Sequence, residues 1–181
     1  GVMKINNKIY VNVHKDNTAI LIFPDYNIET TAYIGKNGTT FNKKEGDGKT
    51  PLGEFDLGLI IGTNLNEEII KKVDMEYIQI NDNMYWVDDP KSKYYNQLVD
   101  VTKVNKDWNT AEHLIEYSKQ YEYAIEIKSN PHNVPNKGSV ILLHCKCKQY
   151  TEGCVSIQRD IMKEIIELVN SNTKIIISNK I

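Results

Sequence analysis

Apolar residues in this chain recur mostly at every second position or in short runs, and only rarely at helical spacing. Lys8 to Val13 alternates polar with apolar and, with Met3-Lys4-Ile5 before an Asn6-Asn7 turn, predicts a β-hairpin. Ala19 to Phe23 and Thr30 to Gly35 predict two more strands, punctuated by Pro24-Asp25 and Lys36-Asn37-Gly38. Gly53 to Gly58, Tyr77 to Asn81 and Met84 to Val87 follow, the last two flanking an Asp82-Asn83 turn. Glu122 to Lys128, Ser139 to His144 and Thr173 to Ser178 are aliphatic or β-branched and bounded by breakers. Helical patterns are expected at Asn66 to Val73, Asn109 to Lys119 and Gln158 to Asn170. The second opens on Asn-Thr-Ala-Glu, which reads as a capping box. The third puts Ile161, Ile165, Leu168 and Val169 on one face.

Many short strands without regular strand-helix alternation predict a mostly β fold, a β-sandwich of mixed sheets with about three short helices. No internal repeat, low-complexity tract or linker-like shift interrupts the 181 residues, so one domain over 1–181 is expected. At that length roughly 70% of the unfolded chain's surface becomes buried, enough for a core without staples.

Composition narrows the partners. The basic residues are lysines except Arg159, they alternate with acids, and the net charge is -2. No electrostatic footprint for nucleic acid is present. No run reaches the ~18 apolar residues of a membrane span. Gly1-Val2-Met3 lacks a leader pattern, which leaves open an exported parent whose leader has been removed. The three cysteines, Cys145, Cys147 and Cys154, make a poor disulfide framework and leave at least one thiol free.

Two loops carry candidate chemistry. Asn42 to Gly53 is polar and glycine-rich, but Gly48-Lys49-Thr50 runs into Pro51 rather than into a helix, so a phosphate loop is not expected. The plainer reading is a long exposed turn. In the second, the apolar run Ser139 to Leu143 ends on His144, and nine residues later Gly153-Cys154 precedes an amphipathic helix. Cysteine catalysis needs a thiolate, a base and oxyanion donors. His144 is a base that titrates near neutrality, and Gly153 permits converging amides beside Cys154. Pattern alone leaves open a buried cysteine and a strand-end histidine without chemistry.

Ser139-Val-Ile-Leu-Leu-His144 followed by Thr151-Glu-Gly-Cys-Val-Ser156 resembles the signature of the YkuD-type L,D-transpeptidases, most closely the branch with a short His-to-Cys loop. Gly46 to Phe55, Tyr85 to Pro90, Tyr94 to Asn96, Glu112 to Leu114 and Asn133 to Gly138 agree in order, so the resemblance runs from about Val11 onward. It implies a cofactor-free enzyme that acts on peptidoglycan stem peptides outside the cytoplasm, at the cell wall or surface. Cys154 would attack a carbonyl between an L-centre and a D-residue, release the terminal D-amino acid and pass the acyl group to an acceptor amine. Water as acceptor would make it a carboxypeptidase. The resemblance implies His144 as base, oriented by the Cys145 main-chain carbonyl, with oxyanion donors around Gly153 and Cys154. Thr151, Glu152, Ser156 and Tyr33 are the expected substrate-binding residues. It also implies carbapenems as the β-lactams best suited to acylate the thiol.

The chain departs from the better-known pattern in its nine-residue His-to-Cys spacing, in Glu152 before Gly-Cys and in Ser156 two residues after the cysteine. Glu152 is expected to raise the Cys154 pKa by placing a negative charge beside it. A zinc site from Cys145, Cys147, Cys154 and a histidine is conceivable, but C-x-C is not a usual zinc spacing and two half-buried thiols are expected instead. His113 and His132 are expected in packed or solvated roles, and His14 carries no signal. Tyr85-Trp86 and Tyr94-Tyr95 read equally as groove lining or as strand packing. A non-catalytic cell-wall binding module and a cytosolic thiol hydrolase are the alternatives from other classes.

Overall fold

A computed structural model describes residues 6–180. Its frame is a mixed sheet built from β1 (Lys8–Val13), β2 (Ala19–Phe23) and β3 (Ile28–Tyr33) at the start of the chain. A small parallel pair, β4 (Thr39–Thr40) and β5 (Thr50–Pro51), brackets the glycine-rich loop and leads into the long β6 (Gly53–Gly62). After α1 (Glu67–Ile70) come β7 (Tyr77–Gln79), β8 (Met84–Val87), β9 (Leu98–Asp100) and β10 (Ala111–His113). The chain finishes with β11 (Ala124–Ile127), β12 (Leu142–Cys145), β13 (Val155–Ile157), α2 (Arg159–Leu168) and β14 (Lys174–Asn179).

Eight strands run β11-β12-β13-β3-β2-β1-β14-β6, and β6 then pairs with β11, so the sheet closes on itself as a barrel. This corrects the expected sandwich. The reason lies in β6, whose ten residues continue past Gly58 to Gly62. Its first half pairs with β14 through Gly53 to Asp56, and its second with β11 through Leu57 to Ile61. A strand ending at Gly58 would have left two unpaired edges, which closure removes. The β11 register slips between Ile125 and Ile127, opposite Gly58. A Cβ on Gly58 would stand 2.3 Å from the Glu126 carboxylate, so glycine is what lets that side chain lie across β6.

Alternation in β1 buries Ile9, Val11 and Val13 towards one large core, which also takes in Leu143, Cys145, Val155 and Ile157. Helix α2 buries Met162, Ile165 and Ile166 in the same core, with Val169 just beyond its end. Ile161 and Leu168 are only partly buried, so the helix face is rotated from the expected one. Both edges of β1 are taken, by β2 and by β14. The Met3-Lys4-Ile5 arm of the expected hairpin lies outside the described residues.

A second sheet, β10-β8-β9, sits over the outer face of β11 and β12. Trp86 and Leu114 pack there against Ile61, Ala124 and Leu142. The expected helix from Asn109 to Lys119 is instead strand β10 and one 3-10 turn, Leu114–Tyr117. Tertiary pairing overrides the capping pattern: the Asn109 amide donates to Asp89, and Glu112 pairs with Trp86 of β8. Among the described residues two α-helices therefore stand where three were expected, and β7 and β8 join different sheets across the Asp82-Asn83 turn. Among the described residues no helix is long and apolar enough to cross a membrane.

Candidate active site

The site forms where β12 and β13 run parallel on the barrel's outer face. His144 lies opposite Ser156 in the register, and Cys154, just before β13, is level with Leu142. Residues two apart on a strand share a face, so His144, Ser156 and Cys154 all turn outwards while Cys145 turns into the core. They line a cleft of about 460 Å³ between the barrel, the second sheet and the glycine-rich loop.

The Cys154 thiol donates to the Val140 carbonyl at 3.1 Å and accepts from the Leu142 amide at 3.4 Å. Strand β12 begins at Leu142, three residues later than the apolar run, because Val140 has φ 53°. The other non-glycine residues with positive φ among those described are asparagines, which tolerate it; a β-branched residue does not do so easily. Asn96 holds Val140 there by accepting its N–H at 3.1 Å, and Asn96 is itself anchored to Asn130 and Asn133.

His144 is buried, with Nδ1 2.9 Å from the Cys145 carbonyl. A proton on Nδ1 leaves Nε2 as the lone-pair nitrogen. The Tyr121 ring meets the imidazole edge-on, with centroids 5.6 Å apart. Burial holds the imidazole down to about 4, against the upward pull of the Cys145 carbonyl. Burial pushes the Cys154 thiol up to about 12; Glu112 adds to the rise, while the Leu142 amide and Lys43 oppose it. The resting pair is thus a neutral thiol and a neutral imidazole.

Gly153 has φ 148°, and a Cβ there would stand 3.0 Å from the Lys49 carbonyl and 3.2 Å from the Lys43 ammonium. Its amide donates to Thr151 Oγ1 at 3.0 Å, and that hydroxyl donates to the Cys154 carbonyl at 2.6 Å. Thr151 therefore shapes the turn that presents the cysteine. Ser156 is 1% exposed, lines the cleft, and its hydroxyl has no partner. Tyr33 pairs with Ser156 across β3 and β13, but its ring lies under Lys146 and is not part of the cleft.

Glu152 corrects an expectation. Its side chain is 73% exposed and bridges to Lys36 at 2.8 Å on the rim. The carboxylate whose charge bears on Cys154 is Glu112, which arrives from the second sheet. Burial pushes Glu112 up to about 7, opposed by the Tyr121 hydroxyl at 3.0 Å and reinforced by Asp88 and Glu45.

The glycine-rich loop is not simply an exposed turn. The Lys43 side chain is 9% exposed, pairs with Asp47 and reaches Gly153. Thr50 is fully buried and donates to the Cys154 carbonyl at 3.3 Å. The two other thiols also differ from the half-buried pair expected. Cys145 is buried, with its thiol raised to about 11 by burial, whereas Cys147 is exposed on the cleft rim. Cys145 and Cys154 point to opposite faces and do not converge on one site. His113 stacks on Tyr85, with centroids 4.4 Å apart, and pairs with the Asp82 carbonyl, while His132 is exposed in a loop. Trp86 and Tyr95 are buried, and Tyr85 and Tyr94 pack on Trp108, so these aromatics serve packing.

Sequence reasoning missed Glu112, Asp88, Lys43 and Tyr121 as cleft residues. The available signal was polarity inside otherwise apolar or aromatic segments: Glu112 before His-Leu, and Asp88 after Tyr-Trp-Val.

A closed mixed barrel with a histidine on one strand and a cysteine at the entry to the adjoining strand, over one cleft, defines the class of protein. The chain belongs to the L,D-transpeptidase catalytic domain family, whose model, YkuD, matches residues 5–177. Solved structures similar to it include the helical cell shape determining protein Pgp2 from Campylobacter jejuni, at 13% identity and a TM-score of 0.41, covering 95% of this chain and 47% of that one. An L,D-transpeptidase (Yku) from Stackebrandtia nassauensis is 11% identical with a TM-score of 0.42, covering 96% and 56%. Mycobacterium tuberculosis L,D-transpeptidase 1 is 13% identical with a TM-score of 0.38, covering 96% and 62%. The chain thus spans less than two thirds of each of these proteins. No curated protein matches the sequence.

Proposed function

We propose that this chain is a peptidoglycan L,D-transpeptidase that works outside the cytoplasm, with Cys154 as nucleophile and His144 as base. The observation that carries the reading is the shared orientation of the two side chains. His144 lies on β12 and Cys154 at the entry to the adjoining parallel β13, both face one cleft, and the imidazole is held by Cys145 so that its free nitrogen is Nε2. Membership of the family supports the reaction class.

At rest the proton stays on sulfur, held by Val140, and its transfer to an imidazole depressed to about 4 is uphill. Proton transfer is therefore coupled to attack. As a donor-stem carbonyl approaches, Sγ bonds to its carbon, the thiol proton moves to His144 Nε2, and negative charge develops on the carbonyl oxygen. The Gly153 amide is committed to Thr151, so we assign the oxyanion donor at this corner to the Cys154 amide. Collapse breaks the C–N bond, His144 protonates the leaving D-amino acid, and a thioester remains. An acceptor amine then attacks the thioester, forms the new amide and returns the thiol.

The test is incubation with purified disaccharide-peptide fragments and mass spectrometry of the products. A cross-linked dimer is the expected result. Loss of one D-residue alone would replace the reading with an L,D-carboxypeptidase, and unchanged fragments would overturn both.

A further inference from the structure

Besides Glu152 on the rim, three carboxylates line the cleft that holds Cys154, although attack by sulfur on a carbonyl gains nothing from them; Glu112 acts on the thiol, and Asp88 and Glu45 act on Glu112. Glu45 comes from the glycine-rich loop, Asp88 from the end of β8 and Glu112 from β10. Glu45 Oε1 accepts from the Tyr95 hydroxyl at 2.5 Å and from Ser139 at 2.7 Å. Glu112 Oε1 accepts from Tyr121 at 3.0 Å. These bonds fix both carboxylates but bring no cation to them. Asp88 Oδ1 is buried with no partner at all. On the floor of the same cleft the Ser156 hydroxyl, on a side chain 1% exposed, is also unpartnered. Lys43, the buried cation of the cleft, is already paired with Asp47.

Orphaned buried acceptors beside crowded carboxylates describe a site that lacks a charged donor. Among the described residues no three His, Cys, Asp or Glu side chains are spaced to hold a metal ion. A primary ammonium fits better, because its three N–H donors reach separate acceptors around one positive charge. We propose that Glu45, Asp88 and Glu112 form a receptor for the primary ammonium group of the acceptor, seating its nitrogen next to the acyl group on Cys154. The identity of that ligand rests on the transpeptidase reading.

The nitrogen arrives protonated and must lose a proton to attack. Glu112, whose buried carboxylate has a raised affinity for protons, takes it. The free amine then bonds to the thioester carbon, the C–S bond breaks, and the surplus proton on nitrogen passes through His144 to the departing sulfur. Water carries no such charge, so the carboxylates concentrate an ammonium rather than water beside the thioester and favour amine as acceptor.

The test titrates the intact chain with Nα-acetyl-lysine amide and with its uncharged isostere Nα-acetyl-norleucine amide, by calorimetry. The wild type is expected to bind the lysine probe at least about tenfold more tightly than the isostere, tenfold being about 1.4 kcal/mol. Glu112→Gln and Asp88→Asn should each lower that affinity about tenfold, while Glu68→Gln, exposed on α1 away from the cleft, leaves it unchanged. In turnover, both cleft variants should acylate Cys154 within about threefold of wild type yet divert the thioester to hydrolysis. Equal affinity for the two probes, or unchanged lysine binding in both cleft variants, overturns the receptor. A chain that binds lysine as expected but never acylates Cys154 retains the receptor and loses the transpeptidase reading.

Discussion

The thiol of Cys154 donates to the carbonyl of Val140 at 3.1 Å, and Val140 is held at φ 53° by the side chain of Asn96. A β-branched residue in the left-handed region costs about 1–2 kcal/mol, and here the surrounding hydrogen bonds sustain it. The strain aims a carbonyl at the sulfur that an ordinary strand would have aimed along the sheet.

Replacing Asn96 with alanine should therefore do two things. It strands the buried Val140 amide, at a cost of about 1–3 kcal/mol in urea unfolding. It also frees Val140 to relax, which should reduce turnover about tenfold or more. Loss of stability with full activity would show that Val140 is a packing residue only.

Cys154→Ala should abolish turnover with the fold intact, while Cys147→Ala retains it. His144→Ala should slow acylation by about 10²-fold or more, the usual worth of a positioned base. A carbapenem should add one mass increment per chain, on the peptide carrying Gly153-Cys154-Val155. Cys145 is sealed in the barrel core, and Cys147 is exposed without a base or amide pocket, so neither should be acylated. An adduct that survives in Cys154→Ala would overturn the assignment of the nucleophile.

The pH profile of iodoacetamide labelling separates the two glutamates. Glu112 raises the thiol, so Glu112→Gln should move the labelling midpoint of Cys154 downwards. Glu152 is occupied by Lys36 at the rim, so Glu152→Gln should leave the midpoint in place. The reverse ranking would mean that the charge reaching the sulfur comes from the loop.

Stability should report the same buried acid. The carboxyl of Glu112 is raised from an ordinary 4.5 to about 7, so between those values the folded chain keeps a proton that the unfolded chain has lost. Its contribution is full below 4.5 and is lost as the pH rises to about 7. The melting temperature of Glu112→Gln relative to wild type should climb across that window and then level off. A flat difference across it would place the carboxyl in water.

How much of this could be read from the sequence depended on how local each determinant is. The alternation in Lys8 to Val13 and the β-branched run at Thr173 to Ser178 sufficed for β1 and β14, whose faces are set by residues two apart. Barrel closure was not legible, because it depends on β6 pairing with β14 and β11 along different halves of one strand. The segment Asn109 to Lys119 carries helical signals, but pairing of Ala111–His113 with β8 outweighs them. At the site, Gly153-Cys154 and His144 stood out because their residue types are unusual in such surroundings. Glu112 and Asp88 did not, since only the docking of a second sheet brings them to the thiol.

That docking divides the cleft between two separately hydrogen-bonded frames. Sulfur and imidazole are tied to each other by the β12–β13 register, while Asp88 and Glu112 belong to the sheet of β8 and β10. The two frames meet through side chains such as Trp86 and Leu114, not through a shared ladder. Apart from Asn96 in the β8–β9 connection, which holds Val140 against the thiol, substitutions on the smaller sheet can thus change which acceptor is welcomed while the register that spaces nucleophile and base stays intact. A lineage could retune its choice of partner strand by mutation in one module while inheriting the bond-making pair unchanged.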